Sequence, residues 1–192
     1  MLLIFRILSA MTNQLAAWRA RIASLPEKLS FSRFPIDSET VFHVTEHSFA
    51  FTNLKPVVPG HVLVSPSRVV DRLALLTIPE VEDLFRTARL VGDAILKAHP
   101  HADSLTYTVQ DGPSAGQTVA HVHVHVMPRW PQDPFNTSRS GNDAVYEAID
   151  NSEKSLADAD VRVDAVPAIS ARTPDDMKQE GLFLRSLVEK LL

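Results

Sequence analysis

Three histidines on alternate positions, His121, His123 and His125, carry the chemistry of this chain. They lie in the run QTVAHVHVHVMPR from Gln117 to Arg129, interleaved with Val122, Val124 and Val126. A period of two puts the imidazoles on one face of an extended segment and the valines on the other. The valines read as core. A row of imidazoles gains little from burial and risks unpaired nitrogens, so it calls for a ligand.

Two ligands fit imidazoles, a metal ion and a polyanion. Zinc bonded to nitrogen at about 2.1 Å needs ligating nitrogens about 3.4 Å apart around its tetrahedron. Alternate strand residues are about 6.6 Å apart, which separates His121 and His125 by about 13 Å at the backbone. Two neighbours could converge on one ion, but three would strain, and no carboxylate is near in sequence. A chain of phosphates is long, anionic and rich in acceptors, and suits spaced groups that change charge near neutral pH. The preceding loop favours the same ligand, because Gly112 and Gly116 let backbone amides turn towards phosphate oxygens. A row of phosphates is therefore expected, and no protein-held metal.

The elements that position these residues can be read outward from them. Val119–Met127 and Leu105–Gln110 are β-prone runs joined by the glycine-containing DGPSAGQT. His61–Ser65 follows the break at Pro59-Gly60, with Val62 and Val64 opposite His61 and Leu63. Val41–Thr45 and Ser48–Asn53 predict a hairpin. Thr77 to Lys97 predicts a helix, with Thr77 and Glu80 as a capping box and Val81, Leu84, Phe85, Ala88, Val91 and Ile95 on one stripe. A last helix is expected from Pro174 to Leu191, carrying Met177, Leu182, Leu184, Leu187, Val188 and Leu191. Short links favour antiparallel pairing, so the class is α+β.

Composition narrows the setting. The 192 residues suit one domain with appendages. Nineteen basic against 23 acidic residues give a net charge of −4, without the basic excess of a protein that holds nucleic acid by bulk charge. No cysteine is present, which excludes disulfides and thiolate chemistry. No apolar run reaches the roughly 18 residues of a membrane span, so a soluble, intracellular protein is expected. Residues 1–30 stand apart, with Arg6, Arg19 and Arg21 and no acid before Glu27. They read as a helical extension, or as a presequence directing the chain to mitochondria. The expected division is 1–30 extension, 31–130 core, 131–170 polar mobile loop and 171–192 C-terminal helix.

The chain resembles the histidine triad (HIT) superfamily, whose signature is His-x-His-x-His with apolar x. Within it the resemblance is to the fragile histidine triad branch, the dinucleoside polyphosphate hydrolases. NLKPVVPGHVLVSP (Asn53 to Pro66), QDGPSAGQTVAHVHVHVMPR (Gln110 to Arg129) and GNDAVYEAI around Tyr146 carry it. Met-Pro-Arg after the triad, where small purine-nucleoside phosphoramidases have Gly-Gly-Arg, separates it from that other branch. The resemblance implies a HIT-like α+β subunit with an antiparallel five-stranded sheet, a long helix and a C-terminal helix, paired as a homodimer.

It also implies roles. His123 becomes the nucleophile at the α-phosphorus of diadenosine triphosphate, giving ADP and a histidine–AMP intermediate that water cleaves to AMP. His121 and His125 support the site. Gln117 and Thr118 match phosphate contacts, Asn53 a ribose contact and Gln110 a further substrate contact, with Gly116 and Val119 beside the substrate. His61 matches a supporting histidine, though its residue type fits a strand-end hydrogen-bonder equally well. A divalent cation, magnesium or manganese, is expected with the substrate, and a cytoplasmic or nuclear location. Relatives place a polar residue on the first strand, where this chain has Phe34-Pro35-Ile36. The alternatives are a related enzyme acting on nucleoside phosphoramidates or adenylates, and a nucleotide-bound signalling module.

Overall fold

The computed structural model describes residues 2–26, 28–135, 144–157 and 171–192. Helix α1 (Leu2–Ala23) leads into the strands β1 (Lys28–Phe31) and β2 (Phe34–Asp37), which form a separate hairpin. Then follow β3 (Val41–Val44), β4 (Ser48–Thr52), β5 (Val62–Pro66), helix α2 (Ile78–Ala98), β6 (Ser104–Thr108) and β7 (Val124–Arg129). Helices α3 (Ala144–Ala157) and α4 (Pro174–Glu189) complete the order.

The five strands β3 to β7 form one antiparallel sheet in the order β3-β4-β5-β7-β6. β7 lies between β5 and β6, so its backbone is paired along both edges, and the clusters on the two faces of the sheet bury its side chains. One face gathers Phe42, Ala50, Val62, Val64, Val122, Val124 and Val126 against Leu84, Val91 and Ile95 of α2 and Leu184 and Val188 of α4. The other face carries Val41, Phe49, Phe51 and Leu63 beneath Phe31 of the β1–β2 hairpin. The period-two reading of the valines and of Val62, Leu63 and Val64 is what the two cores show.

α2 begins where the capping box places it, with both reciprocal Thr77–Glu80 bonds present. The carboxylate of Glu80 is also held by Arg68 at 2.7 Å. Phe85 and Leu182 depart from the expected stripes, being 45% and 43% exposed. Two larger differences concern regular structure. His121 to His123 lie outside the strand, which begins at Val124. The cause is a change of partner: the Val122 N–H bonds to Val70 O and the Val122 carbonyl accepts from Ser65 Oγ, so the chain bends off the ladder.

Of the segment expected as a polar mobile loop over 131–170, residues 136–143 and 158–170 lie outside the described residues, and Ala144–Ala157 forms α3. Val145, Ala148 and Ile149 are spaced three or four apart and bury against Val57, Val58, Met127 and Phe135. Polar residues on either side of this short stripe hide it in the sequence. At the other end, α1 is joined to the core through Trp18, which is 5% exposed and stacks on His43. Arg19 pairs with Glu189 of α4 at 2.7 Å.

Candidate active site

The three histidines are brought together on the face opposite the valines, each no more than 2% exposed. Their hydrogen bonds differ, and the differences fix where each ring holds its proton. The Nδ1 of His121 accepts from the Ser32 N–H at 3.1 Å, so its proton is on Nε2, which donates to the Pro66 carbonyl at 2.9 Å. Burial lowers the pKa of His121 from 6.5 to about 4. It is a neutral clamp between the β1–β2 turn and the end of β5. Ser32 supplies its N–H from a left-handed conformation, φ 54°.

His123 has the opposite tautomer. Its Nδ1 is 2.9 Å from the His121 carbonyl, which can only accept, so Nδ1 carries the proton and Nε2 the lone pair. His125 is set by a relay. The Val57 N–H donates to His61 Nδ1 at 3.2 Å, placing the His61 proton on Nε2. That Nε2–H donates to His125 Nδ1 at 2.9 Å, so the neutral His125 ring carries its proton on Nε2. Rings 123 and 125 are edge to face with centroids 4.7 Å apart. A ring nitrogen bearing a lone pair and a ring bearing an N–H are thus neighbours, an arrangement that could serve attack at a phosphoryl group.

Phe31 lies over this row, 5.3 Å from the His121 ring and 5.1 Å from the His123 ring, centroid to centroid. It shields both rings from water on that side. Neither Phe31 nor Ser32 was among the site residues read from sequence, since neither bears a reactive group or a motif.

The remaining expected residues directly follow β4 or lie in the segment between β6 and the triad. Asn53 directly follows β4; its Oδ1 accepts from Lys55 N–H at 3.0 Å, and its Nδ2 is 3.4 and 3.3 Å from the two nitrogens of His61. Arg172 braces this point from the C-terminal segment, donating through Nε to Asn53 O at 3.1 Å. The loop before the triad turns through a 3-10 helix at Pro113–Ala115, flanked by Gly112 (φ 113°) and Gly116 (φ 90°). A Cβ on Gly116 would collide with Asp150 and Gln110, so both conformation and space require glycine. The Gln117 carboxamide is occupied within the loop: Oε1 accepts from Gly112 N–H at 2.7 Å, and Nε2 donates to Asp71 O at 2.8 Å. Thr118 is half-buried beside it and Val119 is buried under Phe31. The Nε2 of Gln110 donates to Asp150 of α3. Tyr146 is exposed on the same helix. No group of three or more histidines, aspartates or glutamates that could hold a metal ion is present among the described residues.

This sheet, with alternating buried histidines that lead into and enter an interior strand behind a glycine-flanked loop, defines a histidine triad fold. The HIT domain family matches residues 35–132, and the chain belongs to that family. Several of its relatives are named as fragile histidine triad proteins. It is 41% identical over 170 residues to the bifunctional bis(5'-adenosyl)-triphosphatase/adenylylsulfatase FHIT of Arabidopsis thaliana, covering 88% of this chain and 89% of that one. It is 44% identical over 155 residues to the asymmetrical bis(5'-nucleosyl)-tetraphosphatase of Schizosaccharomyces pombe, with 81% of each covered. The crystal structure of the Caenorhabditis elegans NitFhit protein matches with a TM-score of 0.60 at 39% identity, covering 83% of this chain and 30% of that one. The chain thus spans about a third of that nitrilase fusion and most of the other two relatives.

Proposed function

We propose that this protein hydrolyses dinucleoside polyphosphates, cleaving diadenosine triphosphate to AMP and ADP through a covalent histidine intermediate. The observation that carries the reading is the pair of opposite tautomers on adjacent rings, His123 with its lone pair at Nε2 and His125 with its proton there. The names of the Arabidopsis and fission-yeast relatives supply the substrate class.

In the first step His123 Nε2 attacks the α-phosphorus, forming a P–N bond as the bond to the bridging oxygen breaks and ADP leaves. ADP is weakly basic, so it departs without strong protonation. The His125 Nε2–H and the amides of the Gly112–Thr118 loop stabilise charge on the non-bridging oxygens. In the second step water attacks the same phosphorus, the P–N bond breaks and AMP is released. One proton from the water passes to the freed imidazole and then to solvent. Asn53 binds a ribose, and Gln110, Gly116, Gln117, Thr118 and Val119 line the phosphate chain. A divalent cation enters with the substrate, neutralising its phosphates.

The active unit is a homodimer, and the protein works in the cytoplasm or nucleus. The described residues contain no helix long and apolar enough to cross a membrane. A second reading, cleavage of adenylylsulfate by the same His123, is favoured by the Arabidopsis relative's name. Purified protein incubated with dinucleoside tri- and tetraphosphates and adenylylsulfate, with products separated by chromatography, tests both. AMP plus ADP from the triphosphate is the expected result. Turnover of adenylylsulfate alone would overturn the first reading.

A further inference from the structure

One residue of the C-terminal segment holds two successive carbonyls next to β4. The β4–β5 ladder ends at the pair Thr52 and Val62, and the chain continues through Asn53 and Leu54. Arg172 takes both carbonyls there. Its side-chain Nε–H donates to Asn53 O at 3.1 Å, and its main-chain N–H donates to Leu54 O at 2.9 Å. Glu180 holds the guanidinium in turn, 2.8 Å from Nη1, with the two side chains only 20% and 18% exposed. The base of this clamp is firm. Thr173 beside it opens α4 with a reciprocal capping box to Asp176, and Leu184 and Val188 bury that helix in the core.

What Arg172 fixes is the start of the turn that aims the Asn53 side chain. Asn53 is buried, and its Oδ1 accepts from the Lys55 N–H, which closes an Asx turn. The orientation of the carboxamide thus follows the main chain of residues 53–55, the stretch that Arg172 grips. Oδ1 keeps a second lone pair for a hydroxyl, and Nδ2 lies against the His61 ring. A guanidinium suits the task, since its rigid fork of donors serves a carbonyl and a carboxylate at once. We propose that Arg172 is a positioning residue for recognition of the substrate's sugar, holding Asn53 where its carboxamide meets a ribose hydroxyl. The inference rests on the reading above that Asn53 binds a ribose.

The test is the ratio of kcat/KM for diadenosine triphosphate to that for its 2'-deoxyadenosine and 3'-deoxyadenosine counterparts. Loss of folded protein lowers both rates alike, so the ratio reads positioning and not stability. Wild type should favour the ribose substrate over at least one counterpart by about tenfold, the scale of one hydrogen bond. Asn53→Ala should bring that ratio close to one. Arg172→Ala should lower it to about two- or threefold, with KM for the ribose substrate raised more than kcat falls, as expected for a partly lost hydrogen bond. Combined with Asn53→Ala, it should lower the ratio no further. Arg172→Lys keeps a charge for Glu180, but one ammonium cannot also fill the place of Nε, so its ratio should fall between alanine and wild type. A wild-type ratio in Arg172→Lys, or in folded Arg172→Ala, overturns the inference and leaves the hydrolase reading intact. A wild-type enzyme indifferent to both hydroxyls, or an unchanged ratio in Asn53→Ala, overturns the ribose role of Asn53 and the inference with it. No hydrolysis of any dinucleoside polyphosphate by wild type overturns the hydrolase reading first, and the inference falls too.

Discussion

The Nε2–H of His61 is directed at the Nδ1 of His125 across 2.9 Å, both rings almost fully buried. His61 takes its own orientation from the Val57 N–H. A backbone amide therefore fixes, through two rings, which nitrogen of His125 bears a proton. Replacing His61 by phenylalanine should remove the donor, let His125 hold its proton on Nδ1, and take the N–H away from the phosphoryl side. A fall in kcat of about ten- to a hundredfold, with a smaller change in KM, is the expected scale for losing one oriented donor. His61→Gln, which can donate through its amide, should recover part of it. ¹⁵N chemical shifts of the His125 ring check the tautomer itself, and an unchanged tautomer in His61→Phe would break the relay.

His123→Ala should abolish turnover and spare binding, because the small residue opens space instead of creating a clash. The loss of a covalent route is worth several orders of magnitude in kcat. Calorimetric titration with intact diadenosine triphosphate should still show binding. Retention of even a tenth of wild-type kcat would remove His123 from the role of nucleophile.

Gly116→Ala tests the loop. Its φ of 90° strains any L side chain, and the added methyl meets both Asp150 and Gln110. A loss of about 1–3 kcal/mol in stability is expected, together with a raised KM. Urea denaturation and steady-state kinetics measure the two parts. A variant of wild-type stability would show that the loop relaxes freely.

Two buried histidines couple stability to pH. Burial lowers His43 and His121 from 6.5 to about 4. Between pH 6.5 and 4 the unfolded chain binds protons that the folded chain refuses. Stability therefore falls as pH falls through this window, by up to about 3 kcal/mol for each ring. His43 stacks on Trp18 and lies outside the triad, so His43→Phe should lessen the acid slope by up to one proton and leave activity near neutral pH in place. Urea midpoints from pH 7 to 4.5 provide the comparison. Equal slopes for variant and wild type would contradict the assignment for His43.

How far the sequence revealed the site depends on what each residue contributes. The triad was legible because alternating Val and His leave no other reading of the two faces. The capping box of α2 was legible because its two bonds are local. The tautomers were not, since they depend on Ser32, Val57 and Pro66, whose backbone groups look the same in any sequence. Asp150 was hidden for a related reason: it meets Gln110 and Gly116 only after α3 docks, and Val145, Ala148 and Ile149 are few among polar neighbours. Regular pairing was over-read at His121 to His123, where Val70 and Ser65 draw the chain off the ladder.

The covalent step makes a stereochemical prediction. Hydrolysis of diadenosine triphosphate in ¹⁸O-labelled water should place the label in AMP and none in ADP, because water enters only when the P–N bond to His123 breaks. Direct attack by water at the same phosphorus would also label AMP, so the label identifies the atom attacked but not the route. Configuration separates the routes. Each in-line displacement inverts phosphorus, so attack by His123 followed by attack of water gives net retention, whereas one direct displacement gives inversion. The buried lone pair of His123 and the neighbouring His125 N–H favour the two-step path. A substrate chiral at the α-phosphorothioate should therefore yield a product of retained configuration, read by ³¹P NMR after stereospecific phosphorylation. Inversion would exclude the His123 adduct as an obligatory intermediate, and label in ADP would mean that a different phosphorus is attacked.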